Sequence, residues 1–193
     1  MLPEGEKAAA NDVNAYKLQR RRVMTQSVIG VATTAGVVVG AVPIPIPDAL
    51  ILSPTEIAEV NAIASIYVIK KNDKSREFIN TIIQVGMVSA VAKAAIKALK
   101  AVPGINIAAS VVNAVIAGGI VAAIGEGSAY AFEQIYLGNK TLDDIDWVTK
   151  LIESKLTKGF VEKITKILEE IPEGADKEQI ANAIKKLFQN KWM

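Results

Sequence analysis

The sequence predicts an all-α fold, a single-domain helical bundle of about six helices with two central hydrophobic helices rich in Gly, Ala and Val. The first observation is that residues 23–47 and 101–125 are two runs of 25 residues without a charged side chain. The second is that apolar residues elsewhere recur at helical spacing, as in amphipathic helices. The third is that, apart from the ambiguous residues 37–42, no segment alternates with the period of two typical of a half-buried strand. We therefore expect helices packed on helices.

The size and charge of the chain limit its organisation and its partners. A chain of 193 residues is long enough for one domain with a substantial core, which we place at residues 1–193. With 51% hydrophobic but only 5% aromatic residues, that core must consist mainly of Ala, Val and Ile. The net charge is only +2, so no general positive field would attract nucleic acid, and we expect no nucleic-acid partner.

The chain contains neither Cys nor His, which narrows the chemistry available to it. Disulfides, thiolate metal sites, Ser-His pairs and the usual zinc sites are excluded. We expect no enzymatic activity, no cofactor and no metal ion. A polar, acidic start predicts no cleaved secretory signal. These features favour a cytoplasmic location, at the inner face of the membrane if lipid is involved.

The first half of the chain predicts a long helix, a turn and a second helix. Residues 6–22 should form a helix that continues into the first uncharged run, where small residues at close spacing allow another backbone to approach. These candidate packing residues are Gly30, Ala32, Gly36 and Gly40. A turn should follow, formed by Pro43, Pro45, Pro47 and Asp48. The sequence Ser53-Pro54-Thr55-Glu56 predicts a capping box that begins the next helix.

The second uncharged run predicts another helix with close contacts. Before it we expect a helix at about 74–100, capped by Asp73, and a turn at Pro103 and Gly104. The glycines Gly118, Gly119 and Gly125 extend the candidate packing interface. Asn106, Ser110 and Asn113 form a polar line, which favours hydrogen bonds between helices. The alternative is that these side chains line a polar passage. We expect Glu126 to face solvent where the buried part of this helix ends.

Residues 142–190 predict amphipathic C-terminal helices. Thr141 should cap a helix at 142–171, and Asp176 with Gln179 three residues later should open a helix at 177–190. Asp143, Asp144 and Asp146 could hold a divalent ion, but favourable interaction with a helix dipole explains an acidic first turn better.

Two basic clusters are candidate lipid contacts. They are Arg20, Arg21 and Arg22 before the first uncharged run, and Lys185, Lys186 and Trp192 near the C-terminus. Basic groups near an anionic surface contribute roughly 1 kcal/mol each. The alternatives are an ordinary solvated helix face for the arginines and packing of the last helix on the bundle.

The order of prolines, glycines and helices in residues 28–138 resembles a known family. The matching residues are Pro43, Ile44, Pro45 and Asp48, then Ile66 and Tyr67, then Val102, Pro103, Gly104 and Ile105, then Ile124 and Gly125. They resemble the bacterial helical domain of unknown function that often follows GTPase domains, of the YcjF-like type. The resemblance implies a membrane-associated module that accompanies a GTPase. The chain departs from the family at Val68, where members commonly have Gly, and these 193 residues contain no GTPase domain.

Three classes of function follow from these observations. The first is a membrane-proximal helical interaction module that assembles with itself or with a GTPase through its Gly/Ala-rich surfaces. The second is a membrane-inserting or pore-type protein, because each uncharged run approaches the length that crosses a hydrocarbon core of roughly 30 Å. The third is an enzyme that uses carboxylates alone, or a carrier of a small ligand in an apolar cavity. We favour the first.

Overall fold

The computed structural model describes residues 4–41, 54–88, 97 and 108–188, and throughout these residues the regular structure is helical, without a strand. The all-α prediction is confirmed. The helices, numbered in chain order, are α1 (Glu4–Gly40), α2 (Pro54–Ile66), α3 (Asp73–Val88), α4 (Ala109–Tyr136), α5 (Ile145–Lys155), α6 (Lys158–Glu170) and α7 (Lys177–Phe188).

The helix α4 lies at the centre of the bundle. From Ala114 to Glu133 almost every side chain is buried, and α1, α2, α3, α5, α6 and α7 all contact it. Its most extensive contact is with α1. Since α4 is apolar on all sides, it has no face that could remain in water without cost, and the surrounding helices supply the cover.

The helix α1 shares this centre along one face only. Ile29, Thr33 and Val37 are buried, while Val31 and Val38 on the opposite side of the helix remain exposed. Valine and glycine are poor helix formers, so packing against α4 stabilises the C-terminal half of α1 more than propensity does. The described side chains before Arg21 are exposed, apart from the partly buried Leu18.

Two predicted helix starts are corrected by the structure. Asn72, not Asp73, caps α3: its Oδ1 accepts the Ser75 amide at 2.8 Å, and the Ser75 hydroxyl oxygen accepts the Asn72 amide at 2.9 Å. Thr141 does not begin a helix, because its amide and hydroxyl both donate to Asp144 in a turn before α5. These hydrogen bonds, led by that from the Thr141 amide, lower the pKa of Asp144.

The predicted helix at 142–171 is two helices, α5 and α6, which meet at Leu156 and Thr157. Leu156 at the end of α5 and Phe160 at the start of α6 are both buried, so the apolar spacing continues through the break. The predicted opening of α7 is present, because Asp176 and Gln179 exchange backbone-to-side-chain hydrogen bonds of 2.8 and 2.9 Å.

The helix α2 ends in a Schellman motif. The Val68 amide donates to Ser65 O at 3.1 Å and the Ile69 amide donates to Ala64 O at 3.0 Å. The first of these two donor positions requires a left-handed backbone, and Val68 adopts it with φ of 60°. A β-branched residue is strained in this conformation.

Several predictions fall on residues outside the described ranges. They concern the turn residues Pro43, Pro45, Pro47, Asp48, Pro103 and Gly104, the cap Ser53, the polar residue Asn106 and the lipid candidate Trp192. The part of the predicted helix beyond Val88 lies outside them too, except for Lys97.

Candidate functional site

Gly36 and Gly40 of α1 face α4 within the same molecule. A Cβ added at Gly36 would lie 2.8 Å from Val121 Cγ2 and 3.3 Å from Gly118 Cα. A Cβ added at Gly40 would lie 2.7 Å from the carbonyl oxygen of Asn113. Only glycine lets the two backbones approach so closely.

The other small residues of the predicted interface face several neighbours. Gly118 lies against α1 and α7, Gly119 against Ile164 of α6, and Gly125 against Glu59 of α2. Ala32 is buried, and Gly30 lies near the side chain of Lys185. The Gly/Ala surfaces are therefore used inside one bundle, and a partner would have to bind elsewhere.

The arginine cluster is divided between solvent and the bundle. Arg20 is exposed. Arg21 donates to the carbonyl oxygen of Ile66, and its guanidinium lies 4.6 Å from the ring centroid of Tyr136. Arg22 forms two hydrogen bonds with Glu133, of 2.7 and 2.9 Å. Arg21 and Arg22 therefore join α1 to its neighbours, a role that their sequence positions did not indicate.

The C-terminal basic residues are placed differently from each other. Lys185 is half-buried beside Gly30 of α1, whereas Lys186 is exposed. Phe188 is buried and stacks edge-on against Phe160 at 5.8 Å. This agrees with the predicted alternative that the last helix packs on the bundle.

Glu133 is the acceptor at the centre of a network between three parts of the chain. Besides Arg22, it accepts a hydrogen bond of 3.1 Å from the hydroxyl of Tyr67, which follows α2. The hydrogen bond to Glu133 raises the pKa of Arg22 against the opposing effect of burial. Burial, followed by the nearby Glu133 charge, raises the pKa of Tyr67. The network therefore connects α1, the end of α2 and α4 through the Arg22–Glu133 ion pair and the Tyr67 hydroxyl.

The expectation that Glu126 faces solvent is wrong. Only 4% of this residue is exposed, and its Oε1 accepts a hydrogen bond of 2.9 Å from Gln26 of α1. Lys155 of α5 interacts electrostatically with the same carboxylate, which opposes the lowering of the Lys155 pKa by burial. The apolar helix α4 continues past Glu126, so this residue lies inside the bundle rather than at its edge.

Glu59 of α2 is the most unusual acidic residue in the described chain. It is 2% exposed, and neither carboxyl oxygen has a hydrogen-bond partner among the described residues. The carboxyl group lies against Gly125, whose missing side chain leaves room for it. Burial raises the pKa of Glu59 well above its usual range, and the charges of Glu56 and Glu126 raise it further.

A groove of about 580 Å³ lies between α1 and α2 and reaches Glu59. Its walls are mostly apolar, with Val28, Val31 and Ala35 on α1 and Ala58 on α2. Glu59 is the ionisable residue among the described residues that line the groove. The groove is thus an apolar surface bordered by Glu59, whose carboxyl group itself lies against Gly125 of α4.

The outer face of α1 carries a second apolar feature, which we call the outer stripe. It consists of Val13, Tyr16, Val23, Met24, Val31 and Val38, which are all between 42% and 73% exposed. Their spacing places them on one side of a helix that is roughly 56 Å long at 1.5 Å per residue. Exposed apolar surface of this kind marks interaction sites in soluble proteins.

The described residues hold no cluster of three or more His, Cys, Asp or Glu suited to a metal ion. In the predicted acidic cluster, Asp143 pairs with Lys74 at 2.7 Å and Asp144 accepts from Thr141. These carboxylates therefore stabilise the turn and its contact with α3.

Sequence reasoning missed the burial of Glu59, Glu126 and Glu133. For Glu59 a signal was present: it lies four residues before Ile63 on the apolar face of α2. For Glu126 and Glu133 the all-round apolar character of α4 was the signal, since any residue within such a helix is buried when the helix is central.

Comparisons of the chain with protein-family models, curated proteins and solved structures find no match.

Proposed function

We propose that this protein is a non-enzymatic helical interaction module that self-assembles through the outer stripe of α1. The observation that carries the proposal is the exposure of this stripe along a helix whose opposite face packs on α4. Removing such a stripe from water contributes roughly 25 cal/mol per Å² of apolar surface. A second copy can supply the cover by pairing the same stripe with itself about a two-fold axis.

Polar residues on the same face favour a protein partner over the interior of a bilayer. Arg20 and Ser27 fall between the apolar residues of the outer stripe, and both are exposed. A charged side chain facing hydrocarbon is costly, whereas a helix pair can leave it at the solvated edge of the contact.

The resemblance to the YcjF-like domains supports two finer elements of the proposal. It suggests a GTPase as the heterologous partner of such a module and a location near a membrane. The exposed cations Arg20 and Lys186 support a peripheral contact with anionic lipid. Co-purification with a GTPase encoded beside this protein would test the first element directly.

Sedimentation velocity over a wide range of concentrations tests self-assembly. We expect the parent protein to associate, and Val23→Lys to weaken the association at least about tenfold, or 1.4 kcal/mol. Asn14→Lys is the matched control, because it adds the same charge at an exposed position of α1 away from the outer stripe. A parent protein that remains monomeric at every concentration, or a Val23→Lys variant that associates normally, would contradict the proposal.

Membrane insertion is the second candidate function, favoured by one observation. Two helical segments, Asp12–Gly40 and Ala109–Tyr136, are long and apolar enough to cross a bilayer. In the first, only 33% of the apolar window is buried in the protein, against 67% in the second. The first segment is therefore the one that lipid could cover most readily.

A further inference from the structure

A cavity of about 180 Å³ lies at the break between α5 and α6, with α4 and α7 forming the rest of its wall. Its apolar side chains are those of Ala123, Phe160 and Phe188. The ionisable residues among its described lining are Glu126 of α4, Lys155 at the end of α5 and Lys163 of α6. The cavity thus joins an apolar wall to two amines and one carboxylate.

Lys155 is a half-buried lysine with charged neighbours of both signs. Its stem packs over Gly127 of α4, where an added Cβ would lie 3.4 Å from Lys155 Cγ. Burial lowers the pKa of Lys155, while the Glu126 charge opposes this effect and the Lys163 charge adds to it. A desolvated lysine beside another cation is more reactive at neutral pH, because more of it is present as the neutral, nucleophilic amine.

We propose that Lys155 forms an imine, inside this cavity, with a small aldehyde that carries a carboxylate. Such a molecule would place its aldehyde at Lys155, its carbon chain against Phe160 and Phe188, and its carboxylate beside Lys163. None of the described residues that line the cavity belongs to α1. The proposal is therefore independent of self-assembly through the outer stripe.

The charges of Lys163 and Glu126 favour this head group and this orientation. Lys163 Nζ lies 4.8 Å from the ring centroid of Phe188, in the wall of the cavity. A carboxylate beside this ammonium group would gain an ion pair, and the exposure of Lys163 limits that gain to a few-fold. Glu126 interacts with Lys155 and would repel a carboxylate placed there, so the aldehyde is the end that meets the amine.

Imine formation at Lys155 balances without a further reactant. The neutral amine attacks the aldehyde carbon, and the nitrogen loses a proton as the former carbonyl oxygen gains one. The resulting carbinolamine loses its hydroxyl group and the remaining proton on nitrogen as water, which leaves a C=N bond. Glu126 lines the same cavity and can exchange these protons as a general acid and base.

Reductive trapping on the full chain, followed by peptide mass spectrometry, tests the proposal. The probes are 4-oxobutanoate and butanal, which share one carbon chain and differ in the terminal carboxylate. Added cyanoborohydride supplies the hydride that reduces each imine to a stable secondary amine, so the adduct marks the lysine that formed it. The exposed Lys150 of α5 is the internal reference for the intrinsic reactivity of each aldehyde.

At neutral pH and limiting probe, we expect 4-oxobutanoate to modify Lys155 faster than any other described lysine. Relative to Lys150, the preference of Lys155 for 4-oxobutanoate over butanal should be about threefold, as a partly exposed ion pair supplies. Modification of Lys155 no faster than that of Lys150, or equal relative rates with the two aldehydes, would overturn the proposal.

Two variants of exposed lysines separate recognition of the carboxylate from reactivity of the amine. Lys163→Gln should remove the preference of Lys155 for 4-oxobutanoate. Lys166→Gln is the matched control, because it removes the same charge one turn further along α6 at a residue that does not line the cavity. Loss of the preference in both variants, or in neither, would place the carboxylate elsewhere and overturn its assignment to Lys163.

The pH profile of the parent distinguishes a reactive amine from one that is merely accessible. The ratio of Lys155 to Lys150 modification should be highest near neutral pH and should fall as the pH approaches about 10.4, the usual pKa of a lysine. At that pH the other lysines become neutral as well, so Lys155 loses its advantage. A ratio that does not change with pH would show that access alone sets the rate and would overturn the proposal.

Discussion

Three buried glutamates show how the surroundings of one residue type determine its role. Glu133 is paired with Arg22, and Glu126 accepts a hydrogen bond from Gln26, whereas the carboxyl oxygens of Glu59 have no such partner among the described residues. Burying a charge is costly unless it is paired, and an unpaired carboxyl group avoids much of that cost by keeping its proton. Glu59 therefore contributes a pH dependence to the stability of the fold.

We predict that the free energy of unfolding falls as the pH rises above about 4.5, the unperturbed pKa of a glutamate, towards the raised pKa of Glu59. The folded protein holds the Glu59 proton across this window and the unfolded chain does not, so stability is highest below the window. The slope from one such group is at most about 1.4 kcal/mol per pH unit.

Urea unfolding at several pH values measures this dependence. Glu59→Gln should make the curve flatter, because the amide cannot ionise, whereas the exposed Glu77→Gln should retain the parental curve. If the parent and Glu59→Gln show the same pH dependence, the burial of an unpaired carboxyl group at this position is wrong.

Val68 stores a small amount of backbone strain at the end of α2. Its left-handed φ of 60° costs a non-glycine residue about 1–2 kcal/mol, and glycine avoids this cost but loses more entropy on folding. We predict that Val68→Gly stabilises the protein by about 0.5–1 kcal/mol, since Val68 is 61% exposed and contributes little to the core. Thermal unfolding measures the change, and a lower midpoint than that of the parent would contradict it.

At the scale of elements, the sequence predicted those helix boundaries that depend only on residues close together in the chain. The opening of α7 by Asp176 and Gln179 follows from a four-residue pattern, and the prediction was correct. The break between α5 and α6 did not follow, because the apolar spacing from Leu156 to Phe160 continues through it. The position of Glu59 depends on how α2 packs against α4, and a single sequence does not contain that information explicitly.

The contact between α1 and α4 depends on glycine at Gly36. We predict that Gly36→Leu destabilises the fold by about 1–3 kcal/mol or more, because even its Cβ would lie 2.8 Å from Val121 Cγ2. Gly159→Ala is the control: beyond its own backbone and chain neighbours nothing lies within 4 Å of its added Cβ, so this helical substitution should be neutral or stabilise by up to about 1 kcal/mol. Thermal unfolding of Gly36→Leu that matches the parent would refute the close contact.

At the scale of the whole molecule, the bundle and a bilayer compete to cover the same apolar surface. The bundle already covers most of α4, while α1 keeps its outer stripe exposed. The buried polar groups favour the bundle, because Glu126 and Glu133 of α4 interact with Gln26 and Arg22 across the contact with α1. If α4 entered lipid alone, it would lose both interactions and carry its carboxyl groups towards hydrocarbon.

We therefore predict that the protein expressed without detergent remains in the supernatant after high-speed centrifugation, with strongly helical circular dichroism. Hydrogen exchange should be slowest in the centre of α4, where burial by the surrounding helices is most complete. Replacing Arg22 by Ala should loosen this arrangement, since it leaves the Glu133 carboxylate buried with only the Tyr67 hydroxyl as a described donor, whereas the exposed Arg20→Ala should not. Recovery of the parent only in detergent, resistant to alkaline carbonate and with α1 and α4 both protected from exchange by lipid, would show that the bilayer supplies the cover instead.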